Sequence, residues 1–176
     1  MKDTILIGVG NILFKDEGIG VFAAKYLEYN YDFAEGLDII DGATLGFRLM
    51  SYFQEYKRVY IIDTISIEDT PGSIYKVPAE ELMGLGTYRQ TAHEVEIVEM
   101  LEICSLLESI AEVTIFGIIP KDIESVEMGL TKELEESFDK LIAEVVKEME
   151  NIGFQPSKKD GLSLEEIVTT CYKNEI

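Results

Sequence analysis

Short, continuous apolar runs alternate with segments of helical periodicity along this chain of 176 residues. The runs TILIGVG (4–10), RVYIIDT (58–64) and EVTIFGIIP (112–120) lack the polar alternation of a half-exposed strand. Such runs are typical of parallel strands that are buried on both faces. Because right-handed crossovers place helices on both sides of a parallel sheet, the pattern predicts a three-layer α/β sandwich.

We therefore predict a mostly parallel, twisted sheet of about five strands with helices on both faces and TILIGVG as its central strand. GLDIIDG (36–42) supplies a further short strand. Residues 70–82 carry two prolines and alternate polar with apolar residues, which predicts an antiparallel edge strand. The predicted helices cover residues 18–29, 44–56 with Thr44 as a candidate N-cap, 91–104, and 131–150 beginning at Thr131.

The length fits one α/β domain, which we place at residues 1–152. From Gly153 onward the sequence becomes polar and rich in lysine, with a single short helical pattern at SLEEIVTTC. We interpret residues 153–176 as a C-terminal tail or docked appendage.

Composition narrows the classes of partner. Thirty-four acidic and fifteen basic residues give a net charge of -19, which disfavours nucleic acid and anionic lipid and favours basic proteins or cations.

Two cysteines, Cys104 and Cys171, are too few for a disulfide framework and suit a reducing compartment. No apolar run approaches the roughly 18 residues that span a membrane, and no secretory signal precedes the first strand, so we expect a cytoplasmic protein.

Acidic side chains follow three of the predicted strands. Glu17 lies beyond the first strand, Asp41 and Asp63 end the next two, and His93 lies in the first turn of the helix at 91–104. Ligands of open α/β sheets bind beyond the carboxyl ends of the strands, so these side chains are predicted to meet at one edge. Carboxylate and imidazole ligands suit zinc, nickel, iron, cobalt or manganese, and the spacing does not select among them.

Each of these residues also fits an ordinary structural role. Glu17 favours a helix start through the macrodipole, Asp41 fits a turn before glycine, and Asp63 fits a loop cap. A lone histidine such as His93 is more often packed or solvent-exposed than a ligand.

The opening loop GVGNILFKDEGIG (8–20) does not match a nucleotide-binding loop. Leu13 stands where the third glycine of G-x-G-x-x-G belongs, and Asp16 and Glu17 would repel a pyrophosphate. The sequence has neither a Walker lysine nor a G-x-S-x-G elbow, and Cys104 falls within an amphipathic helix as a packed residue.

Taken together, the motifs resemble those of the hydrogenase maturation endopeptidases, which process the large subunit of nickel–iron hydrogenases. The resemblance rests on five ordered segments that span residues 4 to about 150: GVGNILFKDEGIGV, DGATLG, IIDT, AHE, and GIIP followed by MGLT. One departure is Ala43, where the family often has glycine.

The resemblance implies a peptidase that removes a short C-terminal extension from the large-subunit precursor once nickel has been inserted. It implies that Glu17, Asp63 and His93 bind metal, that the nickel is contributed by the substrate, and that Asp41 is functionally important and a candidate catalytic base. The two loops at the strand ends are then expected to bind substrate through Gly10, Asn11, Asp16, Gly42, Thr44 and Gly46. Asp16 is also a candidate helix cap.

Two alternatives from other classes remain open at this point. One is a chaperone or docking module that senses nickel and binds the same precursor without cutting it. The other is a small nucleotide-binding protein of the doubly wound type. Only the peptidase would shorten the precursor.

Overall fold

A five-stranded sheet forms the centre of the structure, a computed structural model that describes residues 2–43, 46–79, 81 and 111–173. Its strand order is β3-β1-β4-β6-β5. The strands of the described residues are β1 (Lys2–Val9), β2 (Tyr31–Asp32), β3 (Leu37–Ala43), β4 (Tyr56–Thr64), β5 (Ile74–Pro78), β6 (Glu112–Ile118) and β7 (Ser157–Lys158). The helices are α1 (Ile19–Asn30), α2 (Met50–Glu55), α3 (Lys132–Asn151) and α4 (Leu164–Lys173), with 3-10 helices at Lys15–Gly18 and Gly46–Leu49.

Strand directions confirm the predicted mostly parallel sheet. Strands β3, β1, β4 and β6 run parallel, and β5 pairs antiparallel with β6 at the edge. The central position belongs to β4, however, and not to β1 as predicted. Both strands are apolar on both faces, so burial alone does not reveal which of them has two further strands on each side.

Two apolar cores lie on opposite faces of the sheet because successive strand residues point to opposite sides. On one face the strands pack against α1, α3 and α4, and on the other they pack against α2. The first core includes Leu6, Tyr60, Ile62, Phe116, Phe22, Leu134, Phe138 and Ile167; the second includes Ile5, Ile7, Ile61, Ile115, Leu49 and Phe53. The layered arrangement of the prediction is thereby confirmed.

Helix α1 lies unusually close to the ends of two strands. A Cβ atom at Gly20 would fall 2.2 Å from the carbonyl oxygens of both Val9 and Ile62. Only glycine permits this approach. It brings the loop between β1 and α1 directly onto the carboxyl ends of β1 and β4.

The helices differ from the sequence prediction in two details. The sequence predicts one helix over residues 44–56, but the described part is a 3-10 helix, Gly46–Leu49, followed by α2. Helix α3 begins after Thr131 as predicted, yet the Thr131 side chain makes no capping hydrogen bond. Its hydroxyl instead donates to Asp16 at 2.9 Å. The predicted helix at 91–104 and the cap at Thr44 lie outside the described residues.

The C-terminal segment packs onto the rest of the chain. Strand β7 pairs with β2, and α4 buries Ile167 and Cys171 in the same core as α1 and α3. The side chain of Asn30 at the end of α1 donates to the Leu162 carbonyl at 3.0 Å. The division at residue 152 stays a prediction.

Within the described ranges, no helix is both long enough and apolar enough to cross a membrane.

Candidate active site

The carboxyl ends of β3, β1 and β4 form one edge of the sheet. From β1 the chain crosses first to β3 on one side and then to β4 on the other, so the strand order reverses between β1 and β4. Crevices at such reversal points are where open α/β sheets bind ligands. The register sets Gly8 of β1 beside Asp41 of β3 on one side and Ile62 of β4 on the other.

Glu17 lies on the 3-10 helix that directly follows this edge. Its backbone carbonyl faces Gly10, where an added Cβ would come within 1.8 Å of the Glu17 oxygen. Gly10 has a φ of 142°, a conformation that side chains disfavour. The same 3-10 helix contacts β4. The turn at Gly10 therefore places Glu17 near the end of β4, the strand that carries Asp63. Glu17 is half-buried.

Asp63 is the next-to-last residue of β4 and is completely buried. One of its carboxylate oxygens accepts a hydrogen bond from the Thr64 amide at 2.7 Å. Charged groups are costly to bury without compensation by hydrogen bonds, opposite charge or metal. A fully buried carboxylate at a strand reversal point is therefore a strong candidate for a functional group.

Asp41 lies on β3 and is exposed to solvent. Its carboxylate accepts a hydrogen bond from the Ala43 amide at 2.9 Å, which is the turn role that the sequence also allowed. The Ala43 carbonyl in turn accepts from Gly10 at 3.0 Å, so this turn is tied to the opening loop. Gly42 is buried, and a Cβ there would meet Ile7 at 2.6 Å.

Asp16 has a different environment from the one predicted for a substrate-binding residue. It is completely buried, and its carboxylate accepts hydrogen bonds from the Lys121 and Asp122 amides, each at 2.9 Å. It also accepts from the amide and the hydroxyl of Thr131, at 2.7 and 2.9 Å. These four hydrogen bonds use both carboxylate oxygens within the protein, and α1 has no side-chain cap. In this structure Asp16 joins the opening loop to the loop between β6 and α3.

The remaining predicted site residues are placed only in part. Asn11 accepts a hydrogen bond from the Leu13 amide at 3.0 Å, and Gly46 begins a 3-10 helix. His93 and Thr44 lie outside the described residues. Among the residues that the structure does describe, no group of three or more His, Cys, Asp or Glu side chains is arranged to hold a metal ion. The trio of Glu17, Asp63 and His93 therefore stays a prediction.

Comparison with known proteins decides the family. The sequence profile of the hydrogenase maturation proteases matches residues 21–148, well over half of the chain. A putative hydrogenase maturation protease of Methanocaldococcus jannaschii is 30% identical over 152 residues, which cover 84% of this chain and 97% of the relative. This chain belongs to the hydrogenase maturation protease family.

Other members agree in sequence and in fold. The hydrogenase 2 maturation protease of Escherichia coli K12 is 28% identical over 160 residues, covering 90% of this chain and 97% of that protein. The solved structure of the hydrogenase maturating endopeptidase HybD from Escherichia coli aligns with a TM-score of 0.82 at 27% identity, over 90% of this chain and 98% of that one. HybD from Thermococcus kodakarensis, a NiFe hydrogenase maturation protease, aligns with a TM-score of 0.66 at 28% identity, over 84% and 98%.

A cavity of about 290 Å³ opens beside Asp41. Helix α1 lines it with Val21 and Lys25, the opening loop contributes Ile12, and α4 contributes Ile167 and Cys171. These α4 residues lie beyond the range that the family profile matches. The Tyr172 hydroxyl of α4 donates to the Ile12 carbonyl. This hydrogen bond connects the C-terminal helix to the opening loop of this maturation protease.

Lys25 brings positive charge to this cavity. Burial lowers its pKa, but the hydrogen bond to Glu28 at 3.1 Å and the negative charges of Glu28 and Asp41 outweigh that effect. The pKa of Lys25 is therefore raised, and the ammonium group stays protonated near Asp41.

The backbone conformation of Ala43 is energetically costly. Ala43 adopts a φ of 39°, in the left-handed region where glycine is favoured. We expect Ala43→Gly to raise the free energy of unfolding by about 1 kcal/mol, because relief of strain exceeds the added entropy of the unfolded chain.

Urea denaturation measures this effect, and Ala143→Gly on the exposed face of α3 is the matched control. There the same change should lower the free energy of unfolding by about 1 kcal/mol, since glycine weakens a helix interior. If glycine lowered the free energy of unfolding equally at positions 43 and 143, Ala43 would not be strained.

Sequence reasoning missed Lys25 and the side chains of α4 as neighbours of Asp41. Lys25 reads as an ordinary solvent-facing residue of an amphipathic helix, and no motif distinguishes it. The closing motif with GIIP and MGLT was the one available signal for the partners of Asp16, since Lys121, Asp122 and Thr131 lie in or beside it.

Proposed function

We propose that this maturation protease removes a C-terminal extension from the large-subunit precursor of a nickel–iron hydrogenase after nickel has been inserted. The observation that carries the proposal is the buried Asp63 at the reversal point of the sheet, in contact range of the element that bears Glu17. Two carboxylate-bearing elements at one crevice suit recognition of a metal centre that the precursor itself presents.

In this proposal the nickel is part of the substrate. Glu17, Asp63 and His93 supply oxygen and nitrogen ligands, a donor set that suits nickel among other divalent metals. Binding of these side chains to the inserted metal would hold the scissile peptide in place, so that cleavage reports metallation. The buried position of Asp63 supports this role, since a nearby cation offsets the cost of the buried charge.

Asp41 is our candidate for the base that assists cleavage. It is exposed at the same edge, on β3, which is separated from β4 by β1. A cavity opens beside it. An exposed carboxylate next to a cavity can accept a proton from a water that attacks the peptide carbonyl. We expect the enzyme to work in the cytoplasm, where the reducing conditions suit its two cysteines.

Incubation with a nickel-loaded precursor, followed by mass spectrometry of its C-terminus, tests the proposal. The enzyme should shorten the nickel-loaded precursor and leave the nickel-free precursor intact. Binding without a change of mass would support the non-cleaving docking module instead. Cleavage of both forms at equal rates would contradict recognition of nickel.

A further inference from the structure

Exposed apolar side chains are concentrated on two loops near the candidate site. Among the described residues, four large apolar residues are markedly exposed, and three of them share this location. Leu13 of the opening loop is 47% exposed, and Val126 and Met128 of the loop between β6 and α3 are 76% and 56% exposed. We refer to Leu13, Val126 and Met128 as the apolar patch.

The two loops lie side by side. Phe14 and Glu127 form a parallel β-bridge, which sets Leu13 beside Val126 in register. The Lys15 amide donates to the Glu127 carbonyl at 3.2 Å, and the Lys15 ammonium pairs with the Glu127 carboxylate at 2.8 Å. The three apolar side chains therefore belong to one surface and are not scattered singly, as ordinary exposed apolar residues are.

The buried carboxylate of Asp16 holds this surface in shape. Asp16 sits between the two loops and accepts four hydrogen bonds from Lys121, Asp122 and Thr131. A surface that is ordered before binding loses little conformational entropy when a partner arrives. The chain thus buries a charged group to order two loops whose apolar side chains face solvent.

The patch adjoins the candidate active site. Leu13 lies on the same loop as Glu17, and the other loop begins at the carboxyl end of β6, which is the neighbour of β4. Residues on these loops and the carboxylates at the strand ends share one edge of the sheet.

The charges around the patch are mainly negative. Asp122, Glu124 and Glu127 flank it, while Lys15 is paired with Glu127 and Lys121 with Glu133. The chain as a whole carries a net charge of -19. An apolar centre with an acidic rim complements a protein surface that has an apolar centre and a basic rim.

We propose that the apolar patch is the docking surface for the folded body of the large-subunit precursor, separate from the side chains that bind its metal centre. This inference rests on the proposed function. The precursor would contact the patch with an apolar surface bordered by basic side chains, and this contact would set how tightly the enzyme binds before cleavage.

Steady-state processing of the nickel-loaded precursor tests the docking surface. The double variant Val126→Ser with Met128→Ser should raise KM about tenfold with kcat unchanged, because contacts made equally in the ground and transition states affect binding alone. Leu13→Ser, on the other loop, should raise KM in the same way. Thermal melting should be unchanged for all three substitutions, since the side chains are exposed.

The matched control keeps the apolar character at the same positions. Val126→Ile with Met128→Leu should leave KM at the wild-type value, and addition of salt should raise the wild-type KM by screening the acidic rim. Serine variants with wild-type KM, or with reduced kcat alone, would overturn the docking surface while leaving the protease assignment intact. A wild-type protein that fails to cut the precursor would instead overturn the proposed function. Dimerisation that the serine variants abolish would assign the patch to a second copy of this chain and overturn the inference.

Discussion

Asp16→Ala should lower the free energy of unfolding by about 4 kcal/mol, because it leaves four partly buried donors without their acceptor. The backbone amides of Lys121, Asp122 and Thr131 and the Thr131 hydroxyl all donate to this carboxylate. Each unsatisfied buried donor costs about 1–3 kcal/mol. The free energy of unfolding of an ordinary domain is only about 5–15 kcal/mol, so this one change should remove a large part of the stability.

Urea denaturation followed by circular dichroism measures this loss, with Asp139→Ala as the control. Asp139 is an exposed aspartate on α3, and its replacement should change the free energy of unfolding by less than about 0.5 kcal/mol. Asp16→Asn supplies a milder variant, since one oxygen remains to accept while the amide nitrogen faces donors. It should lie between the wild type and Asp16→Ala. An Asp16→Ala protein as stable as the control would refute the structural role of this carboxylate.

Asp63→Asn should leave the fold intact and nearly abolish processing. Asparagine has the shape of aspartate and keeps an oxygen that accepts from the Thr64 amide, but it removes the negative charge. Loss of an outer partner of a metal ligand typically costs about 10- to 100-fold, so loss of Asp63 as a proposed ligand should lower kcat/KM at least about 100-fold. The measurement is the rate of precursor shortening by mass spectrometry.

Asp3→Asn is the control for this prediction. Asp3 lies near the start of β1, at the opposite edge of the sheet, and its loss should leave the processing rate at the wild-type value. The Asp63→Asn protein should also lose its preference for nickel-loaded over nickel-free precursor in a binding assay. Full processing by Asp63→Asn would exclude Asp63 from the recognition of the metal.

The strands and their mostly parallel arrangement were predictable because strands that are buried on both faces consist of continuous apolar runs. Runs such as TILIGVG and RVYIIDT lack the alternation of polar and apolar residues that a half-exposed strand shows, and they form most of β1 and β4. The edge strand β5 was predictable from Pro78 at its end and Pro71 shortly before it, because interior strands do not tolerate proline. The candidate carboxylates Asp41 and Asp63 were found by the same logic, as acids at strand ends.

The order of the strands was less predictable. Nothing in the residues of β1 or β4 states which of them is central, because both need only apolar neighbours. The helix predicted at 44–56 divided into a 3-10 helix and α2, and Thr131 used its hydroxyl for a distant carboxylate in place of a local cap. These outcomes depend on neighbours that are remote along the chain.

Asp16 and Glu17 show where the two sources of information separate. The sequence alone determined that an acidic pair follows the first buried strand, at an edge where α/β proteins bind ligands, and its motifs predicted the family. Only the tertiary structure decided that Asp16 turns inward to join two loops while Glu17 stays at the edge. The reason is that hydrogen-bond donors more than one hundred positions away along the chain meet the Asp16 carboxylate, and such contacts exist only once the chain is folded.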